Sequence, residues 1–227
     1  MVTAIVLAAG RSTRMGGGTN KQFLEVLGKP LLYYSLAAFE QCPAVDAVVL
    51  VRRPDYARQA EQVVQKFEFR KICAFADGGV ERQDSVCNGL KRCGRRTGIV
   101  AVHDGARPLV TPALIESTIA SAREFGTGIA ATKVVDTMKE ANGDRTVVRT
   151  VDRTRLWAVQ TPQTVKFGLL QTAYAKVMEK QIVVTDEAAA VELLGEKVRL
   201  VETLFLNLKI TMPSDLRVAE ALLSVRP

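Results

Sequence analysis

Short apolar runs rich in β-branched residues alternate with stretches of helical periodicity through the first half of the chain. That alternation limits the possible folds more than any other feature. Apolar residues dominate 2–7, 47–51, 71–76 and 98–102, runs too continuous for strands with one face in water. Helical patterns fall between them, over 31–39, 54–67 with Pro54 in the first turn, and about 82–91. A further helix is expected after Thr111 and Pro112, with Gly126 closing it. Buried strands joined by helices pair in parallel, so the expected fold class is α/β, with one doubly wound, mainly parallel sheet and helices on both faces. At 227 residues and 48% hydrophobic content, the chain can bury a full core as one domain spanning 1–227. Ligands of such sheets sit at the carboxyl ends of the strands.

The rhythm breaks between 134 and 156. Two polar-alternating segments there flank Asn142-Gly143, a strong hairpin turn signal, and predict a β-hairpin arm at about 136–155. A two-stranded ribbon is marginal alone in water, so this arm is expected to pack on something, with either a second subunit or its own domain as the surface. Helices are expected beyond it at 166–179 and 186–194, strands at 198–201 and 206–210, and a last helix at 213–223.

Directly after the first strand comes Ala8-Ala9-Gly10 and then a small-residue loop carrying Arg11, Arg14 and Lys21, with Gly16-Gly17-Gly18 inside it. Small residues let backbone amides approach an anion, and fixed cations neutralise it, so polyphosphate is the natural guest. The spacing matches neither the P-loop nor the dinucleotide glycine pattern. A formal net charge of +7 favours anionic partners, while 6% aromatic residues are too few for a base-stacking platform, so no nucleic acid is expected. The four cysteines lack CxxC spacing and His103 is the lone histidine, which argues against a zinc site or a disulfide framework. The apolar start lacks a basic leader region, and no run is long enough to span a membrane, so a cytoplasmic protein is expected.

Four other places can carry chemistry. Asp104, in His103-Asp104-Gly105-Ala106-Arg107-Pro108, stands just past a buried strand with small residues beside it. An acid there commonly forms a turn or caps a helix, but facing a polyphosphate loop it is the natural ligand for magnesium or another divalent cation. Gly78-Gly79 through Asp84-Ser85 can read a nucleobase edge with backbone amides and the Ser85 hydroxyl, or can simply be a glycine turn before a capped helix. Arg153 can grip a phosphate with two hydrogen bonds, or make a surface ion pair. Lys209 is a lone charge in what reads as an apolar strand, where an unpaired ammonium is costly.

Taken in order, these segments resemble the 2-C-methyl-D-erythritol 4-phosphate cytidylyltransferase family along nearly the whole chain. Ala8-Ala9-Gly10 with Arg14 and Lys21 is shared by many nucleotidyltransferases. The series Asp136-Thr137-Met138-Lys139, Thr150-Val151-Asp152-Arg153, Thr161-Pro162-Gln163, Thr185-Asp186-Glu187-Ala188 and Lys209-Ile210-Thr211 is far more specific. The resemblance implies a Rossmann-like nucleotidyltransferase fold, CTP and a polyol phosphate as substrates, and a homodimer built through the arm. It implies that Ala8, Ala9, Gly10, Gly79 and Ser85 form the cytidine and ribose pocket, that Arg14, Lys21 and Lys209 surround the triphosphate, and that Asp104 and Ala106 touch substrate. Thr137 and Arg153 would hold the sugar phosphate from the second subunit, and Thr161 would sit on the same side. Arg14, Lys21, Arg153 and Lys209 are thus the expected catalytic set. Asn20 stands where many members have proline, and Val80 where some have an acid, so base recognition falls to backbone groups. A cytidylyltransferase for another polyol phosphate, such as ribitol 5-phosphate, is the alternative reading.

Overall fold

The computed structural model describes residues 1–10 and 20–225; Arg11, Arg14 and the three glycines of the loop lie outside the described residues. Strand β1 (Val2–Ala8) is buried at every position and lies inside the sheet. It pairs in parallel with β4 (Ala47–Arg52) on one side and β6 (Ile99–Asp104) on the other. Beyond β4 lies β5 (Ile72–Asp77), also parallel. Alternation along β1 sends Ala4, Val6 and Ala8 to one face and Ile5 and Leu7 to the other. Helices α1 (Leu31–Gln41) and α4 (Pro112–Phe125) cover the first face, and α3 (Arg82–Leu90) and α5 (Phe167–Lys180) the second. The doubly wound, mainly parallel sheet expected from the sequence is therefore present: with β7 (Thr127–Lys133), β10 (Trp157–Lys166) and β11 (Leu200–Glu202) its order is β11-β7-β10-β6-β1-β4-β5, while the short β2 (Glu25–Val26) and β3 (Lys29–Pro30) pair apart from it.

The signals around α4 act as read. The Thr111 hydroxyl accepts from the Leu114 amide, Pro112 opens the helix, and Gly126 closes it in the left-handed region at φ +88°. Pro54 opens a 3-10 turn (Pro54–Tyr56) rather than an α-helix, which starts afterwards as α2 (Ala57–Lys66).

Three elements depart from the expected pattern. Strand β7 (Thr127–Lys133) directly follows α4, and β10 (Trp157–Lys166) runs antiparallel between β6 and β7. The inner half of β10 is polar yet buried, because Thr161, Gln163 and Thr164 all find hydrogen-bond partners inside. The expected strand at 206–210 does not form: that segment is irregular, and β11 (Leu200–Glu202) ends before it. Helices α6 (Glu187–Glu192) and α7 (Pro213–Ser224) lie near their expected places.

The arm is a ribbon of β8 (Met138–Ala141) and β9 (Val147–Val151), which pair only with each other. Its turn is longer than a two-residue Asn-Gly hairpin: the Asn142 amide donates to the Thr146 carbonyl at 2.9 Å, and Arg145 takes φ +68°.

Candidate active site

Two cavities open at the carboxyl end of the sheet. The larger, about 440 Å³, lies over the ends of β1, β4 and β5, and the smaller, about 290 Å³, lies over β6 and β10. Arg82, Asp104 and Lys209 line both and form the wall between them.

The larger cavity gathers Ala9, Gly10, Lys21, Gly79, Ser85 and Ala106, all expected from the sequence. Ala8 is the buried last residue of β1 and does not line it. Gly78 is required by close approach, since a Cβ there would meet the Ala9 Cβ at 2.3 Å; the loop after β5 is thereby laid against the loop after β1. Gly79 has the same constraint, with Asp84 Cβ at 2.2 Å. The Gly79 amide donates to Ser85 Oγ at 3.0 Å, and that hydroxyl donates on to the Glu81 carbonyl at 3.3 Å. Ser85 is therefore a brace of this loop as well as part of its lining. Val80 is 73% exposed at the rim.

Lys21 sits in a 3-10 turn (Lys21–Phe23) capped by Asn20, whose side chain accepts from the Gln22 amide. The Lys21 ammonium donates to the Ile210 carbonyl at 2.7 Å, which pins the irregular segment against the 3-10 turn that carries Lys21. The Ile210 amide donates to the Ala106 carbonyl at 2.8 Å, and Arg107 Nη1 donates to the Asn207 carbonyl at 2.7 Å. These bonds replace a strand ladder and swing Lys209 to the wall, where its Nζ lies 2.6 Å from Asp104 Oδ2. The lysine expected in an apolar strand is thus a paired, half-buried charge on a docked loop.

Asp104 carries two cationic neighbours, since Arg82 Nε also donates to its Oδ1 at 3.3 Å. Burial alone would raise its carboxyl, but Arg82 and Lys209 outweigh that and hold it well below the usual carboxylate range. Its backbone amide donates to Thr161 Oγ1 at 3.1 Å. His103, fully buried, lies 3.4 Å by Nε2 from the Arg107 carbonyl, so this nitrogen carries the proton. Nδ1 is then an acceptor, and Thr161 Oγ1 donates to it at 3.0 Å. Burial lowers the His103 pKa to about 3, so the ring is neutral. Thr161 lines the smaller cavity, but in this arrangement its proton is committed to His103 and it has none to give a phosphate.

Among the described residues, no group of three or more His, Cys, Asp or Glu side chains is placed to hold a metal ion. Asp104 alone is a sufficient protein ligand for magnesium only where substrate phosphates supply the other oxygens, which is the usual way that ion is held. Among the described residues Asp104 is the one acid lining both cavities, and with Oδ1 taken by Arg82 and Oδ2 by Lys209, an ion there would have to share the carboxylate with those cations.

Thr137 and Arg153 are not brought to either cavity of their own chain. Both are exposed on the arm, and Arg153 Nη1 donates to the Val135 carbonyl. The sequence reading passed over Arg82 as a site residue. Its partner Glu187 lies 105 positions away, and a first-turn acid of a helix reads as a complement to the helix dipole.

The comparisons with known proteins agree with this geometry. The family described as 2-C-methyl-D-erythritol 4-phosphate cytidylyltransferase matches residues 2–225. A protein of that description from Pelotomaculum thermopropionicum is 44% identical over 99% of this chain and 95% of its own length. One from Geobacillus kaustophilus is 43% identical over 98% and 97%. Among solved structures, 4-diphosphocytidyl-2C-methyl-D-erythritol synthase from Anaerococcus prevotii superposes with a TM-score of 0.86 at 30% identity, covering 98% of this chain and 96% of that one. The 2-C-methyl-D-erythritol 4-phosphate cytidylyltransferase of Thermus thermophilus gives 0.81 at 32% identity, covering 97% and 98%. With the family matched over residues 2–225, relatives 44% and 43% identical across nearly their whole length and a solved member superposing at a TM-score of 0.86, the chain belongs to the 2-C-methyl-D-erythritol 4-phosphate cytidylyltransferase family.

Proposed function

We propose that the protein transfers the cytidylyl group of CTP to 2-C-methyl-D-erythritol 4-phosphate, releasing pyrophosphate, as a cytoplasmic homodimer. The observation that carries this reading is the wall of Arg82, Asp104 and Lys209 shared by two cavities. Such a wall suits a reaction in which one anion must attack another.

CTP is assigned to the larger cavity, with its base toward Gly79 and Ser85 and its phosphates toward Gly10 and Lys21. The acceptor phosphate is assigned to the smaller one. The attacking oxygen is already anionic, so no general base is needed, and the neutral, enclosed His103 is consistent with that. The barrier lies in anion repulsion and in charge growth at the α-phosphorus, which fixed cations offset by positioning and electrostatic stabilisation. Lys21 and Arg14 are assigned to the triphosphate, and Lys209 with Arg153 to alignment of the nucleophile with the leaving pyrophosphate. Magnesium, when bound, would be held by Asp104 with phosphate oxygens and would neutralise part of the triphosphate charge.

The arm supports the dimer. Met138, Val147 and Val148 are exposed on a ribbon that pairs with no other strand among the described residues. Apolar side chains in such a ribbon gain by burial against another surface. A partner's arm would carry Thr137 and Arg153 to the smaller cavity, which lacks them within one chain.

Pyrophosphate release tests the reading. It should require CTP and the methylerythritol phosphate together and should stop when magnesium is withheld. Release from CTP alone at the same rate would overturn it.

A further inference from the structure

Among the described residues Glu187 is the one fully buried acid in the neighbourhood of the two cavities, and no step above uses it. Its carboxylate takes a fork from Arg82, with Nη1 at 2.6 Å from Oε1 and Nη2 at 3.0 Å from Oε2. The Tyr174 hydroxyl donates to Oε1 at 2.9 Å. Burial, then the Glu187 charge, raise the Tyr174 pKa and keep that hydroxyl a donor. Glu187 itself is fixed by the first turn of α6, where Asp186 caps the helix by accepting from the Ala189 amide. The third donor of Arg82, Nε, points the other way to Asp104, which holds Lys209 by its second oxygen. A continuous chain of charged hydrogen bonds thus runs from the buried face of α5 to the wall between the cavities.

We propose that Glu187 is a positioning residue for the transfer. By fixing the plane of the Arg82 guanidinium, it limits Arg82 to one oxygen of Asp104 and leaves the other for Lys209. The inference rests on the function proposed above.

A guanidinium fork seeks a planar, two-oxygen partner. Arg82 is three-quarters buried and has two acids in reach, Glu187 and Asp104. Once the Glu187 charge is removed, Asp104 is the charged partner that remains to Arg82 among the described residues, and Arg82 competes for the oxygen that Lys209 holds. Lys209 is then displaced from the wall. Net charge argues for the opposite result, because a more positive site would bind both anions more tightly. The two effects separate in kinetics: displacement lowers kcat and weakens the acceptor, whereas added charge alone lowers both KM values.

The test uses the full chain with Glu187→Gln, Tyr174→Phe, Arg82→Gln and the double variant Glu187→Gln/Arg82→Gln, each checked for fold by circular dichroism. For Glu187→Gln, kcat should fall by about 10²-fold with the acceptor KM rising at least about fivefold and the CTP KM moving less than about threefold. Tyr174→Phe should move kcat and acceptor KM in the same direction by a smaller factor. The double variant should be no slower than Arg82→Gln alone, since Glu187 acts through Arg82. A folded Glu187→Gln enzyme with kcat and acceptor KM unchanged, or losses that multiply in the double variant, would overturn the proposal. Should Glu187→Gln fail to fold, an unchanged acceptor KM and kcat in Tyr174→Phe overturns it equally. Failure of the underlying function is seen separately, as absence of turnover by the wild-type protein. Were another polyol phosphate the better acceptor, the same variants are read with that acceptor.

Discussion

Single residues carry the sharpest consequences. Lys21 is 9% exposed, and its ammonium is held on the Ile210 carbonyl at the edge of the larger cavity. Replacing it by alanine removes that hydrogen bond, a net loss of about 1 kcal/mol, from a fold that keeps its core. The expected outcome for Lys21→Ala is a circular dichroism spectrum like the wild type and a kcat lower by about 10² to 10³-fold, the scale of one preorganised electrostatic group. Near wild-type turnover would remove Lys21 from the mechanism. His103 gives a pH dependence instead. Burial lowers its pKa from 6.5 to about 3 in the folded protein, so between those values the unfolded chain binds the extra proton. Stability from this residue is therefore complete above about pH 6.5 and is lost as pH falls toward 3, with a slope of up to about 1.4 kcal/mol per unit. Melting temperatures measured from pH 7 to pH 4 should fall more steeply for the wild type than for a folded His103→Gln variant. Parallel curves would contradict the assignment.

At the scale of elements, the arm makes its own prediction. Val147→Asp together with Val148→Asp places two charges on a ribbon whose core partners are few, so the monomer fold should keep its melting temperature within a few degrees. Sedimentation should show a shift from dimer to monomer, with activity falling at least about tenfold as the partner's Thr137 and Arg153 are lost. A monomeric wild type with full activity would contradict the role of the arm. The elements also differ in how far they could be read in advance. Strands β1, β4 and β6 are mostly apolar because helices cover both faces, with polar residues such as Arg52, His103 and Asp104 gathered at the carboxyl ends, and that pattern is visible without any tertiary information. Strand β10 was hidden because three of its five buried positions are the polar Thr161, Gln163 and Thr164, whose burial depends on partners elsewhere in the chain. The segment at 206–210 misled in the opposite sense. Its apolar residues include the exposed Leu206, while its position is set by single bonds to Ala106, Arg107 and Lys21 rather than by a ladder. The lining of the larger cavity follows loops contiguous in sequence and was legible as a cluster. The Arg82 to Glu187 pair joins two distant helices and was not.

Across the whole molecule, one geometric fact organises the rest: the carboxyl ends of the strands bear two cavities that meet at Arg82, Asp104 and Lys209. The formal charge of +7 suits a protein whose substrates are both anions. The family match spans residues 2–225, so the sheet, the arm and the docked loop that brings in Lys209 all fall within it. The central claim is that one cavity takes CTP and the other the methylerythritol phosphate. The most direct measurement is the mass of the product formed from a mixture of all four ribonucleoside triphosphates with equimolar 2-C-methyl-D-erythritol 4-phosphate and ribitol 5-phosphate. The account predicts the cytidine diphosphate adduct of methylerythritol as the dominant product. A dominant ribitol adduct, a different base, or no nucleoside diphosphate adduct at all would contradict it.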